Sequence, residues 1–273
     1  MNFVAPYFFV PATKLHKIEL IRGLGSLEVI VDFEDSVAGV DVSSIFFSQP
    51  AYAKVSELWF RIPLINTGHV LFPSYQKELA AWGVRQWVIP KLRSPEDFDA
   101  LLGYFDKEDK FIVLIEDPYL LLHATRLLEK HHKRIHAIGL GSHDLMSAVG
   151  AEHTHENLSY PRKVVKYLAA AYGIQAIDIA SMNIQDSSGF FRELESGGGL
   201  GYDSKFLLHP IQFQWYQAYV EKQSKQMIEW AERIMQRVGT GSDGEISAFE
   251  FEGEIVEKPH VLKAIEILKK YRS

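Results

Sequence analysis

Charged side chains stand just inside or beyond short apolar runs along this chain. Asp32, Glu34 and Asp35 follow the run ending at Val31, and Arg61 lies near the end of Leu58–Ile62. Lys91 follows Gln86–Ile89, Glu116 and Asp117 follow Phe111–Ile115, and Asp144 sits in Gly141-Ser142-His143-Asp144 after Ile135–Leu140. Asp178 and Ser181 bracket the end of a seventh run, and His209 follows an eighth. Carboxylates crowded into a partly dry space raise one another's pKa values or require a cation. A hard divalent ion held by one or two carboxylates, with water and substrate oxygens completing its shell, meets that requirement. The candidate ligands are all oxygens, which favours Mg²⁺, with Mn²⁺ as the alternative. The absence of cysteine and of paired histidines at the run ends argues against Zn²⁺.

Such convergence needs a scaffold. The apolar runs Tyr7–Val10, Glu28–Val31, Leu58–Ile62, Gln86–Ile89, Phe111–Ile115, Ile135–Leu140, Ile174–Ile179 and Lys205–Leu208 read as strands covered on both faces. Amphipathic segments such as Ser74–Trp82, Pro95–Phe105, Tyr119–His131 and Arg162–Tyr172 separate them. Ser94-Pro95-Glu96-Asp97 is a helix start, and Gly83 and Gly173 sit where helices end. Eight strand–helix units predict an α/β fold, a (β/α)8 TIM-type barrel, whose active site lies at the C-terminal ends of the strands. Gly39–Lys54 is poorly helical, and Gly197–Gly201 reads as a flexible connection before the eighth strand. The barrel is expected over residues 1–238. Residues 239–273 are expected to form an appended hairpin and helix that packs on a neighbouring subunit.

Composition narrows the function. The 273 residues carry 29 Lys+Arg against 35 Asp+Glu, a net charge of −6, and 47% are hydrophobic. This acidity gives no electrostatic footprint for nucleic acid or an anionic membrane. No apolar run approaches the roughly 20 residues of a membrane span. Zero cysteines excludes a disulfide scaffold and a cysteine nucleophile, and fits a cytoplasmic setting.

Taken in order, these segments resemble the citrate lyase beta-subunit-like family of the HpcH/HpaI aldolase/citrate lyase superfamily. Phe9-Val10-Pro11 and Val31-Asp32-Phe33-Glu34-Asp35-Ser36-Val37 resemble its opening signature. Arg61, Val88-Ile89-Pro90-Lys91, Ile115-Glu116, Gly141-Ser142-His143-Asp144-Leu145, Asp186-Ser187-Ser188-Gly189, Lys205, Leu208-His209-Pro210 and Val256-Glu257-Lys258-Pro259 resemble later motifs. The resemblance implies Mg²⁺ on Glu116 and Asp144, with Arg61, Lys91 and Pro11 at the substrate. It implies cleavage or condensation of a carbon–carbon bond in a short hydroxy or keto carboxylic acid, or its CoA thioester, through a metal-stabilised enolate. It also implies a homotrimer, or a multiple of one, in which Glu257 of one subunit serves a neighbour's site. Glu34 and Asp35 join Arg61 and Glu257 as the catalytic candidates. The chain departs from the family at Ala12, Pro63, Ser204 and Glu257 and lacks the family's basic pattern after Val37, so a CoA ester is less supported than the lyase chemistry.

Structural alternatives stand beside these roles. Asp117 before Pro118 is a natural helix cap. Arg61 could pair with the neighbouring acids, Asp32 could tie strand to loop, and His153-Thr154-His155 reads as a polar loop rather than a metal site. The competing functions are a catalytically drifted barrel that binds a carboxylate metabolite or partner protein, and a subunit of a larger lyase complex.

Overall fold

The computed structural model describes residues 4–34, 55–63, 72–239 and 248–272. Its strands are β1 (Tyr7–Pro11), β2 (Glu28–Asp32), β3 (Trp59–Arg61), β4 (Gln86–Ile89), β5 (Lys110–Ile115), β6 (Ile135–Leu140), β7 (Gln175–Asp178) and β8 (Ser204–Leu207). Each pairs in parallel with the next, and Tyr7↔Phe206 and Phe8↔Leu207 close β8 onto β1. The eight expected strands are all present, each within one residue of the expected ends. Between and after them lie α1 (Ile18–Arg22), α2 (Phe72–Ala81), α3 (Pro95–Leu102), α4 (Pro118–His131), α5 (Ser142–Val149), α6 (His155–Tyr172), α7 (Ser187–Leu200) and α8 (Pro210–Gly239). Gly39–Lys54 lies outside the described residues.

Local chemistry sets the helix ends. The Asp97 amide donates to Ser94 Oγ at 3.2 Å and the Ser94 amide to Asp97 Oδ2 at 3.0 Å, a reciprocal cap ahead of Pro95. Asp117 accepts from the Tyr119 and Leu120 amides at 2.7 and 3.2 Å, so it caps α4.

Strand parity decides which side chains enter the barrel. Tyr7, Ile30, Trp59, Val88, Ile112, Leu114, Ala137, Ile177 and Phe206 form one buried cluster inside it. Gly139 leaves room for Phe206, whose ring would stand 2.5 Å from a Cβ there. One step of two residues beyond Ile30, Trp59 and Leu114 come Asp32, Arg61 and Glu116.

Opposite parity sends two charged residues outward. Asp178 follows inward-facing Ile177 and is clamped by Arg162, Nε to Oδ1 at 2.9 Å and Nη2 to Oδ2 at 2.6 Å, with both side chains under 5% exposed. Lys205 precedes Phe206 and donates from Nζ to the Ile179 carbonyl at 2.7 Å and to Glu193 at 2.9 Å. Asp178 therefore does not reach the mouth as its strand-end position suggested. The Gly197–Gly201 run is not a flexible connection: it forms the last turns of α7 and its left-handed cap. A Cβ on Gly197 would stand 2.3 Å from Asp178 Oδ2, so glycine lets the helix approach the ion pair.

Met1–Phe213 forms one compact unit and Gln214–Ser273 a second, so the division falls inside α8, ahead of residue 238. In the second unit β9 (Phe249–Phe251) and β10 (Glu254–Val256) make an antiparallel hairpin across Glu252-Gly253, both at positive φ, followed by α9 (Lys258–Arg272). Ala231 and Ile234 of α8 share a core with Val256, Val261, Ala264 and Ile267. Among the described residues no helix is long and apolar enough to cross a membrane.

Removing one member of the Arg162–Asp178 pair leaves a buried charge uncompensated, at a cost of about 3–5 kcal/mol. Arg162→Met should lower stability in urea denaturation by that order, and the double variant Arg162→Met/Asp178→Leu should recover part of it. A double-variant loss equal to the sum of the Arg162→Met and Asp178→Leu losses would show that the pair is not coupled.

Candidate active site

A cavity of about 610 Å³ opens at the C-terminal end of the barrel. β1 contributes Phe9 and Pro11 to its wall, β2 contributes Asp32 and β3 contributes Arg61. Leu114 and Glu116 reach it from β5, and Leu140 to Asp144 from the turn between β6 and α5. Ala180, Met182, Phe206 and Leu208 complete it from the ends of β7 and β8.

Asp32 and Arg61 are direct partners across β2 and β3. Arg61 donates to both Asp32 oxygens, from Nε at 2.8 Å and Nη2 at 2.9 Å, a fork that fixes the guanidinium plane. Its Nη1 lies 3.2 Å from Glu34 Oε2, and Lys91 Nζ lies 2.9 Å from Glu34 Oε1. Lys91 sits at φ +52°, a left-handed conformation rare for a residue with a Cβ, and its amide donates to Glu116 Oε2 at 2.8 Å. The charges of Asp32, Arg61, Glu34 and Lys91 thus alternate along one chain of contacts.

Glu116 and Asp144 stand outside that balance. Among the described residues no basic side chain forms an ion pair with either. Burial raises the Glu116 carboxyl to about 8, the negative charges of Glu34 and Asp144 add to the rise, and the Lys91 amide and the Arg61 charge oppose it. The side chain lies where Gly141 has none: a Cβ there would stand 2.2 Å from Glu116 Cγ. Asp144 lies in the first turn of α5. Two carboxyl groups facing one cavity, one of them buried, with oxygen as the only donor type, suit a hard divalent cation.

Of the residues expected from sequence, Pro11, Arg61, Glu116 and Asp144 line this one cavity, and Glu34 and Lys91 join it through ion pairs. Asp35 lies outside the described residues. Glu257 belongs to the second unit, exposed before α9, where its amide donates to His260 Nδ1 at 3.0 Å. His153 stacks on His143 at 3.8 Å between ring centroids and bonds Ser142 Oγ at 2.8 Å. No cluster of three or more potential metal ligands of the His, Cys, Asp and Glu types occurs among the described residues. The apolar wall is not among the expectations from sequence, although Leu208, two positions beyond Phe206, carries the same parity signal as the acids.

Residues 6–210 match the sequence profile of the HpcH/HpaI aldolase/citrate lyase family. The chain belongs to that family. Mitochondrial citramalyl-CoA lyase of Homo sapiens is 27% identical over 204 residues, covering 65% of this chain and 57% of that protein. The chain thus spans under two thirds of that relative's length. Citrate lyase subunit beta of Leuconostoc mesenteroides subsp. cremoris is 24% identical over 284 aligned positions, covering 96% of this chain and 91% of that one. The fold is shared with CitE of Mycobacterium tuberculosis, crystallised with magnesium, acetoacetate and coenzyme A, at TM-score 0.81 and 20% identity over 99% of both chains.

Glu116 binds its proton more tightly in the folded chain than its ordinary value of 4.5 allows. Its contribution to stability is therefore present below about 4.5 and is lost as pH rises through about 8. Without divalent ions, the wild type should lose more stability than Glu116→Gln between pH 5 and pH 9 in denaturant titrations. Parallel pH profiles for the two proteins would contradict the raised value.

Proposed function

We propose that the chain is a divalent-cation-dependent carbon–carbon lyase acting on a short hydroxy or keto carboxylic acid or its CoA thioester, by aldol- or Claisen-type cleavage or condensation. The observation that carries this reading is the pair Glu116 and Asp144 in one cavity, with no ion-paired basic side chain among the described residues. Family membership and the lyases among the relatives support it.

Glu116 and Asp144 would hold Mg²⁺, the ion bound in the CitE crystal. When bound, Mg²⁺ supplies a Lewis acid that draws negative charge from a substrate oxygen. In cleavage the substrate hydroxyl loses its proton as its carbon becomes a carbonyl. The electron pair of the breaking bond passes to the other fragment, which then takes up a proton. Arg61, fixed by Asp32 and lying 4.9 Å over the Phe9 ring, presents a preset positive charge to the oxygen on which that charge collects. Both Glu34 oxygens engage cations, so Glu34 orients Arg61 and Lys91 in this reading. Proton transfer falls to Asp35 or to Glu257, the latter delivered by a neighbouring subunit of a trimer. Pro11 and Lys91 border the substrate, and the setting is cytoplasmic.

Loss of a contact made chiefly in the transition state costs about 3–4 kcal/mol, a factor of roughly 10²–10³ in turnover. Glu116→Ala and Asp144→Ala should each reduce cleavage of citramalyl-CoA or short hydroxy acids by that factor in saturating Mg²⁺. Undiminished turnover in either variant refutes the assignment.

A further inference from the structure

We infer that the cavity selects a substrate whose 2-oxo acid portion carries a single carboxylate and an aliphatic arm, and disfavours one carrying a second carboxylate on that arm. The inference rests on the lyase reading and adds the substrate class.

The cavity has two chemically distinct walls, and strand order sets them apart. Asp32, Arg61, Glu116 and Asp144 come from the β2, β3, β5 and β6 side. The adjoining strands β7, β8 and β1 supply Ala180, Met182, Phe206, Leu208 and Phe9, all apolar, and Leu114 lines the same space. The Phe9 and Phe206 rings meet with centroids 5.3 Å apart, making the apolar side continuous from β8 to β1. Lys205, one position before Phe206, brings no charge to this wall: its ammonium faces outward to Glu193 and the Ile179 carbonyl.

Charge points the same way. Among the described residues lining the cavity, three carboxylates stand against one guanidinium already forked onto Asp32, and the remaining polar lining groups, Ser142 and His143, lie beside Asp144 on the acidic side. A divalent ion brings this wall to neutrality, leaving it suited to the single carboxylate that chelates the ion. A second carboxylate on the arm would lie against carbon, where it loses hydration without gaining a hydrogen bond or a cation. A methyl terminus there gains from burial instead.

The test is calorimetric binding to the full chain, first of Mg²⁺ alone, then of 2-oxopentanoate and 2-oxoglutarate in saturating Mg²⁺. These ligands share a five-carbon chain and differ in ending as methyl or carboxylate. The expected result is at least tenfold tighter binding of 2-oxopentanoate. Met182→Lys, at an exposed rim position, should narrow that ratio at least threefold by supplying a cation, with both ligands measured in saturating Mg²⁺. Equal or tighter binding of 2-oxoglutarate by the wild type overturns the inference and leaves the lyase reading standing, as does failure of both ligands to bind a Mg²⁺-loaded chain. Failure of Mg²⁺ itself to bind overturns both.

Discussion

The carboxyl group of Glu116 is buried among other acids, and no basic side chain among the described residues is paired to it. The strand beneath it, the glycine beside it and the left-handed amide that reaches it are all arranged around that circumstance. Such a group is neutral below about pH 8 unless a cation arrives, so proton and metal compete for one site. Much of the local architecture follows. Gly141 cannot carry a side chain, because Glu116 occupies the volume a Cβ would take. Asp32, Arg61, Glu34 and Lys91 are ion-paired with one another, so among the described residues of the mouth Glu116 and Asp144 are the acids left for a cation.

The barrel keeps its charges in two compartments. Inside the mouth, Asp32 and Arg61 pair where solvent and ligand can reach them. Outside the strands, Arg162–Asp178 and Lys205–Glu193 join the sheet to α6 and α7. Alternation along single strands makes the separation: Ile177 and Asp178, or Lys205 and Phe206, are neighbours in sequence that serve opposite sides of the sheet. The outer pairs hold helices in place, and the inner ones hold chemistry in place.

Much of this was legible in the sequence because it depends on local signals. The strands are apolar and short, the capping residues of α3 and α4 are explicit, and the acids at the ends of β2 and β5 announce the mouth. Asp178 was misplaced because proximity to a strand end says nothing about which face a residue occupies; that needs the parity of Ile177. The Gly197–Gly201 run looked loose because three consecutive glycines weaken a helix. Its close fit, at Gly197, is to the Arg162–Asp178 pair, contributed by segments remote in sequence. The partnership of Lys91 with Glu34 and Glu116 was equally hidden, since no pattern in the sequence signals a left-handed lysine. Nothing in the residue types of Phe9, Met182 and Leu208 marks them as cavity wall, since apolar side chains near strand ends serve the core and a ligand pocket alike.

Lys91 also narrows the range of residues this position accepts. Its backbone must take a left-handed turn and keep an amide hydrogen for Glu116, and its side chain must end in a cation for Glu34. Proline lacks the hydrogen and is locked at negative φ. Valine, isoleucine and threonine resist the turn. Glycine or asparagine accepts the turn without supplying the charge. Sequence drift at this site therefore trades conformational ease against electrostatic order, and only a long basic side chain willing to bear the twist satisfies both neighbours at once.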